Sequence, residues 1–238
     1  DRFKEAGDFT FLFVGNINPE EAKPLIETYL GGLPTINRTE NFADIKMDFR
    51  KGKFKNVFNK ELGTPMATVI VVAHGNCDYS LKNDILMKCL SRTLDMTYLE
   101  EVREKEGGTY GVQTVGQISR YPNDEAMLQI VFNTDPSKRE MLMGIILGEL
   151  QRVAKEGPKE EHLAKVKEAM VKQYAENVKE NSYWLGILNN YYWYNEDMDS
   201  QFVELVNGIT VKDVQTFAKE LFNQGNLIEV SMTDESDK

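Results

Sequence analysis

At 238 residues, 41 % hydrophobic and 28 % charged, the chain has a globular balance, with room for one large domain or one and a half ordinary ones. A net charge of −10, with no basic stripe interleaved with aromatics, excludes phosphate-backbone binding, so no nucleic-acid partner is expected. The longest apolar runs, Ala67–Ala73 broken by Thr68 and Met141–Leu147 broken by Gly144, fall short of the roughly 20 residues a membrane span needs.

The start at Asp1-Arg2-Phe3-Lys4 has neither an initiator Met nor a signal peptide, and reads as a cut inside a longer protein. Phe9 to Gly15 is a compact apolar run that predicts a strand. Asn18 as N-cap and Pro19 at the first helical position open a helix to about Tyr29, stopped by Gly31-Gly32 and Pro34. The polar stretch from Thr35 to Phe49 reads as a linker. Phe54 to Lys60 and Met66 to Ala73 predict two strands, the second apolar enough to be central, with His74-Gly75-Asn76 ending it.

From Tyr79 to Glu104, apolar residues recur at helical spacing through Leu81, Ile85, Cys89, Leu94, Leu99 and Val102, one long helix with a kink expected near Asp95. Tyr110 to Tyr121 and Ala126 to Phe132 alternate around Pro122-Asn123-Asp124, a hairpin signature. Helices are then expected from Ser137 to Lys155, from Pro158 to about Lys179 and on to Trp193, from Asp199 to Val206 and from Val211 to Phe222. Thr210-Val211-Lys212-Asp213 opens the last of these in the manner of a capping box. Leu227 to Met232 predicts a closing strand, similar in character to Phe11-Leu12-Phe13-Val14, followed by an acidic tail. The sum is an α+β fold: a mostly antiparallel sheet with helices packed on one face.

Few residues carry chemistry. The histidines are His74 and His162. Pro158-Lys159-Glu160-Glu161-His162 has the last two positions of a zinc-binding His-x-x-Glu-His helix, but proline stands where the first imidazole must project. Cys77 lies in a turn and Cys89 on an inward helix face, so reduced thiols are expected rather than a disulfide. Gly107-Gly108 precedes a strand rather than a helix and is no phosphate cradle. The aromatic run Tyr183, Trp184, Tyr191, Tyr192, Trp193, Tyr194 reads as core or interface packing.

Across the turn Glu104–Thr109, a guanidinium (Arg103) and a phenol (Tyr110) can converge on one point as hydrogen-bond donors. Taken alone, Arg103 flanked by Glu100, Glu101, Glu104 and Glu106 reads first as a solvated helix end in which the guanidinium pairs with neighbouring carboxylates.

The order of elements bears on that choice. Phe13-Val14-Gly15-Asn16 leads to a helix ending in Tyr29-Leu30-Gly31-Gly32-Leu33-Pro34. A second, long helix then leads into Leu99-x-x-x-Arg103-x-x-x-Gly107-x-x-Tyr110. This pattern resembles the pitrilysin/insulinase family of zinc metallopeptidases, over essentially the whole chain. The resemblance implies a metallopeptidase-like lobe of the LuxS/MPP kind, from the C-terminal half of such an enzyme. Residues 1–34 would then be the closing strand and helix of the third lobe, 35–49 a linker, and 50–238 the fourth lobe, without a zinc site.

It further implies a zinc-dependent endopeptidase acting in a closed chamber, with zinc bound in an N-terminal half and none by this piece. Peptide substrate and that zinc-bearing half would be the partners. Arg103 would bind the substrate backbone, and Tyr110 would both contact substrate and stabilise the carbonyl oxyanion. Glu100 departs from the pattern, standing where relatives often carry an asparagine. A bacterial periplasm is the compartment the resemblance favours, with the cytoplasm as the alternative. The alternatives are a non-catalytic scaffold or partner subunit of the same fold, and a peptide-binding module that adds a strand to an exposed sheet edge.

Overall fold

The computed structural model describes residues 4–36, 43, 46–104 and 109–234, with the backbone alone at 102–104 and 109–110. The chain divides into two compact units, residues 1–47 with 173–200, and residues 48–172 with 201–238.

The larger unit is built on a five-stranded sheet ordered β1-β5-β2-β4-β3, from β1 (Lys53–Lys60), β2 (Ala67–Asn76), β3 (Thr109–Ser119), β4 (Glu125–Thr134) and β5 (Asn226–Asp234). All neighbours run antiparallel except β1 and β5. This is the expected α+β arrangement. Val69, Val71 and Ala73 of β2 lie opposite Phe132, Ile130 and Leu128 of β4, and all six are buried on one face. Over that face pack α2 (Leu81–Tyr98), α3 (Arg139–Glu156) and α7 (Val211–Asn223), contributing Ile85, Leu90, Leu94, Leu142, Ile146 and Phe217 to the core. The capping box at Thr210 forms as the sequence predicts: Thr210 Oγ1 accepts from the Asp213 N–H at 3.2 Å, and Asp213 Oδ2 accepts from the Thr210 N–H at 2.9 Å. The hairpin β3–β4 also forms, around a cis Tyr121–Pro122 bond.

Five local expectations are corrected. His74-Gly75-Asn76 does not end β2; the strand pairs with β4 through Asn76↔Glu125. On its other side the Gln224 side chain takes over from β5, donating to the Asn76 carbonyl at 2.9 Å and accepting from its N–H at 2.7 Å. A side-chain amide thus supplies the pairing that backbone propensity at Gly75 does not. The long second helix departs from α geometry at Leu99 rather than Asp95, continuing as a π-helical turn, Leu99–Glu104.

The smaller unit holds α1 (Pro19–Tyr29), α5 (Asn181–Tyr194) and the end of α4 (Glu160–Asn177), which begins in the larger unit. One continuous helix to Trp193 is not formed, because α4 stops at Asn177 and Glu180 is extended at ψ 132° before α5 begins. The polar run Lys179-Glu180-Asn181-Ser182 favours such a break. No strand forms at Phe9–Gly15, where Phe9, Phe11 and Phe13 are exposed and no described strand pairs with the segment. An apolar run alone cannot make a strand without a neighbour to take its N–H and C=O groups. The short helix α6 (Phe202–Gly208) begins later than Asp199, whose carboxylate instead accepts from the hydroxyls of Tyr174 and Tyr183.

Candidate functional site

The two residues singled out by sequence flank one connection, Arg103 in the π-helical turn and Tyr110 as the second residue of β3. Lys105–Gly108 and the side chains of 102–110 lie outside the described residues. The backbone is irregular on both sides. In the π turn, hydrogen bonds reach one residue further than in an α-helix, a geometry that recurs at functional sites. In β3, Thr109 pairs with Thr134 but Val112 pairs with Phe132, so one extra residue is accommodated around Tyr110 and Gly111. Such a bulge re-aims side chains out of the regular pleat.

What holds this frame is built from α2. Asp95 Oδ1 accepts from the Thr114 N–H at 2.7 Å, tying α2 to the edge strand beside the bulge. Burial pushes the Asp95 carboxyl up, against the Thr114 hydrogen bond and the charge of Arg92. At Gly116 the helix comes so close that an added Cβ would lie 2.5 Å from Met87 Sδ and 3.1 Å from the Met87 carbonyl oxygen.

Glu100, in the same π turn as Arg103, points to α4. Its Oε2 accepts from Lys159 Nζ at 2.6 Å and its Oε1 lies 2.9 Å from His162 Nε2. Lys159 first, then His162, hold the Glu100 carboxyl below the usual carboxylate range. His162 is fully buried, and its Nδ1 lies 3.3 Å from Thr97 Oγ1. Because an ionised carboxylate only accepts, His162 Nε2 is the donor to Glu100, while the Thr97 hydroxyl that faces Nδ1 donates to the Thr93 carbonyl at 3.0 Å.

Glu100, Glu161 and His162 have ligand atoms within 4.8 Å of one another, the one such triad among the described residues. Zinc does not fit it well. Both Glu100 oxygens are engaged, the imidazole nitrogen is committed as a donor, and the Lys159 ammonium already supplies the local cation.

The other sequence candidates are packing residues. His74 is buried with Nδ1 2.7 Å from Glu125 Oε1, Nε2 3.2 Å from the Arg50 carbonyl and the Phe49 ring against it. Both cysteines are unpaired with each other, and burial pushes each thiol up to about 11. Sequence reading missed the partners of Glu100, which lie 59 and 62 residues away and share no motif with it. It also missed a cleft of about 600 Å³ between α3, α7 and β5, rimmed by Lys53, Lys155, Lys212 and Lys219, which only the fold gathers.

Residues 1–170 match the family described as the peptidase M16 inactive domain. The chain belongs to that family. A zinc protease PQQL-like protein of Arabidopsis thaliana is 26 % identical over 198 residues, covering 77 % of this chain and 20 % of that protein. Among solved structures, the periplasmic protease PqqL from Escherichia coli superposes with a TM-score of 0.77 at 18 % identity, over 93 % of this chain and 25 % of that one. The peptidase M16 inactive domain from Pseudomonas fluorescens gives 0.73 at 18 % identity, over 96 % of this chain and 54 % of that one. The M16 chain described here thus spans about a fifth of its plant relative and a quarter of PqqL. No helix among its described residues is long and apolar enough to cross a membrane.

Proposed function

We propose that this M16 domain is the substrate-binding part of a zinc-dependent endopeptidase whose metal-bearing half lies elsewhere in the protein. In this reading Arg103 grips the backbone of an extended peptide, and the Tyr110 hydroxyl donates a hydrogen bond to the scissile carbonyl oxygen as negative charge develops there. The observation that carries the reading is the placement of both residues at backbone irregularities flanking one connection, a π turn before it and a β-bulge after it. Each irregularity departs from the regular helix and ladder that the hydrophobic pattern would otherwise impose.

Zinc, bound by the other half, would supply Lewis-acid activation of the carbonyl and water. The contribution of this chain is orientation and charge stabilisation. Supplying the donor from a separate lobe couples catalysis to closure around the peptide. Residues 1–34 as the end of the preceding lobe, 35–49 as linker and 50–238 as the closing lobe are part of the same proposal. So is a periplasmic location, by analogy with the protease named above.

The test is Tyr110→Phe in the full-length protein. Turnover of a quenched fluorogenic peptide should fall about 100- to 1,000-fold, with zinc content unchanged. Equal turnover for wild type and variant would remove Tyr110 from the chemistry. A full-length protein that neither binds zinc nor cleaves peptides would instead establish the scaffold reading.

A further inference from the structure

Glu100 stands three residues before Arg103, yet its carboxylate is spent on α4 and the lysine just before it rather than left facing outward. Lys159 Nζ lies 2.6 Å from one oxygen and His162 Nε2 2.9 Å from the other. The imidazole does more than pair with a charge. Its Nδ1 contacts Thr97, in the last turn of α2, while its Nε2 contacts Glu100, in the π turn. One buried ring therefore bridges the junction at which α geometry gives way to π geometry. The far end of the bridge is fixed, because His162 is fully buried, and Pro158 and Leu163 on either side of it in sequence are buried too.

A π turn holds its hydrogen bonds less favourably than an α turn and needs compensating contacts to persist. Charge-assisted hydrogen bonds to both carboxylate oxygens are the strongest contacts available to a partly exposed acid. We infer that Glu100 is a positioning residue, clamped by Lys159 and His162 so that the π turn presents Arg103 from a fixed backbone. The inference rests on the role proposed for Arg103. It also gives Glu100 a function distinct from the substrate contact that an asparagine would make: the acid is needed because its partners are a lysine and an imidazole.

The clamp acts through Arg103, so its effect must vanish when Arg103 is gone. In the full-length protein, Glu100→Gln and Lys159→Gln should each lower kcat/KM for a quenched fluorogenic peptide about 10- to 100-fold, mainly by raising KM. Arg103→Ala should lower it at least as much. Either clamp substitution added to Arg103→Ala should change kcat/KM by less than about twofold. Zinc content and far-UV circular dichroism, measured on every variant, should not change.

If Arg103→Ala impairs cleavage but both clamp variants match wild type, the clamp is overturned and the role of Arg103 stands. If a clamp variant loses the same factor with and without Arg103, it acts on general stability and the inference is likewise overturned. Wild-type activity in Arg103→Ala overturns the reading of Arg103 and the clamp with it. Should Glu100→Gln fail to fold, Lys159→Gln carries the test, and failure of both to fold assigns the contacts to stability alone.

Discussion

Glu100 shows how far a single side chain can be read from its neighbours in sequence. Surrounded by Glu101 and Glu104, it reads as one more solvated acid, yet it is held by residues 59 and 62 positions away. Those contacts have a titration signature. Lys159 and His162 depress the Glu100 carboxyl in the folded state, so the stabilisation is fully present above the unfolded carboxyl's value near pH 4.3 and is lost as pH falls through the lower folded value. Wild type should therefore exceed Glu100→Gln in urea midpoint at neutral pH, with the gap closing below about pH 4. A gap that persists unchanged to pH 3 would mean that the charge contributes nothing. The half-exposed position keeps the expected difference small. Arg103 and Tyr110 stand out as candidates for a different reason. Their spacing around Gly107 forms a local pattern, whereas the partners of Glu100 are a product of tertiary structure.

At the level of elements, the sequence predicted most of what the larger unit contains, because its strands and helices bury one face and their periodicity records it. The misses fall where a partner rather than a period decides. β2 continues past Ala73 because Gln224 pairs with Asn76, and Phe9–Gly15 stays irregular because no described strand takes its hydrogen bonds. The helix–strand contact that frames the candidate site can be tested directly. Gly116→Ala would place a Cβ 2.5 Å from Met87 Sδ and 3.1 Å from the Met87 carbonyl oxygen. The thioether can swing aside, but the helix backbone cannot move without disturbing Ile85 and Leu90 in the core. We expect a loss of about 1–3 kcal/mol in urea denaturation. Gly111→Ala, whose Cβ meets nothing within 4 Å, should cost much less and serves as the control.

For the whole molecule, the two units differ in how their apolar surface is disposed. The larger unit has a continuous core, whereas α5 in the smaller one has no buried residue, with Tyr192 61 % and Trp193 66 % exposed. Aromatic surface of this kind marks an interaction face, and the sequence could assign the run Tyr183–Tyr194 to packing without saying against what. The chain on its own should bind the dye ANS and self-associate at high salt, where its net charge of −10 is screened. Tyr192→Ser with Trp193→Ser should reduce both, as read by dye fluorescence and sedimentation. The parallel pairing of β1 with β5 has a consequence in time. Gly52 donates to Asn226 Oδ1 across 174 residues, and β5 lies between β1 and β2 in the sheet. As the polypeptide leaves the ribosome, β1 emerges before the other four described strands but pairs with none of them until the last, β5, is made. The β2-β4-β3 portion can assemble early, while β1 waits with its edge unsatisfied through most of synthesis. Contacts that span so much chain form slowly, so closing this sheet is expected to be among the last events of folding.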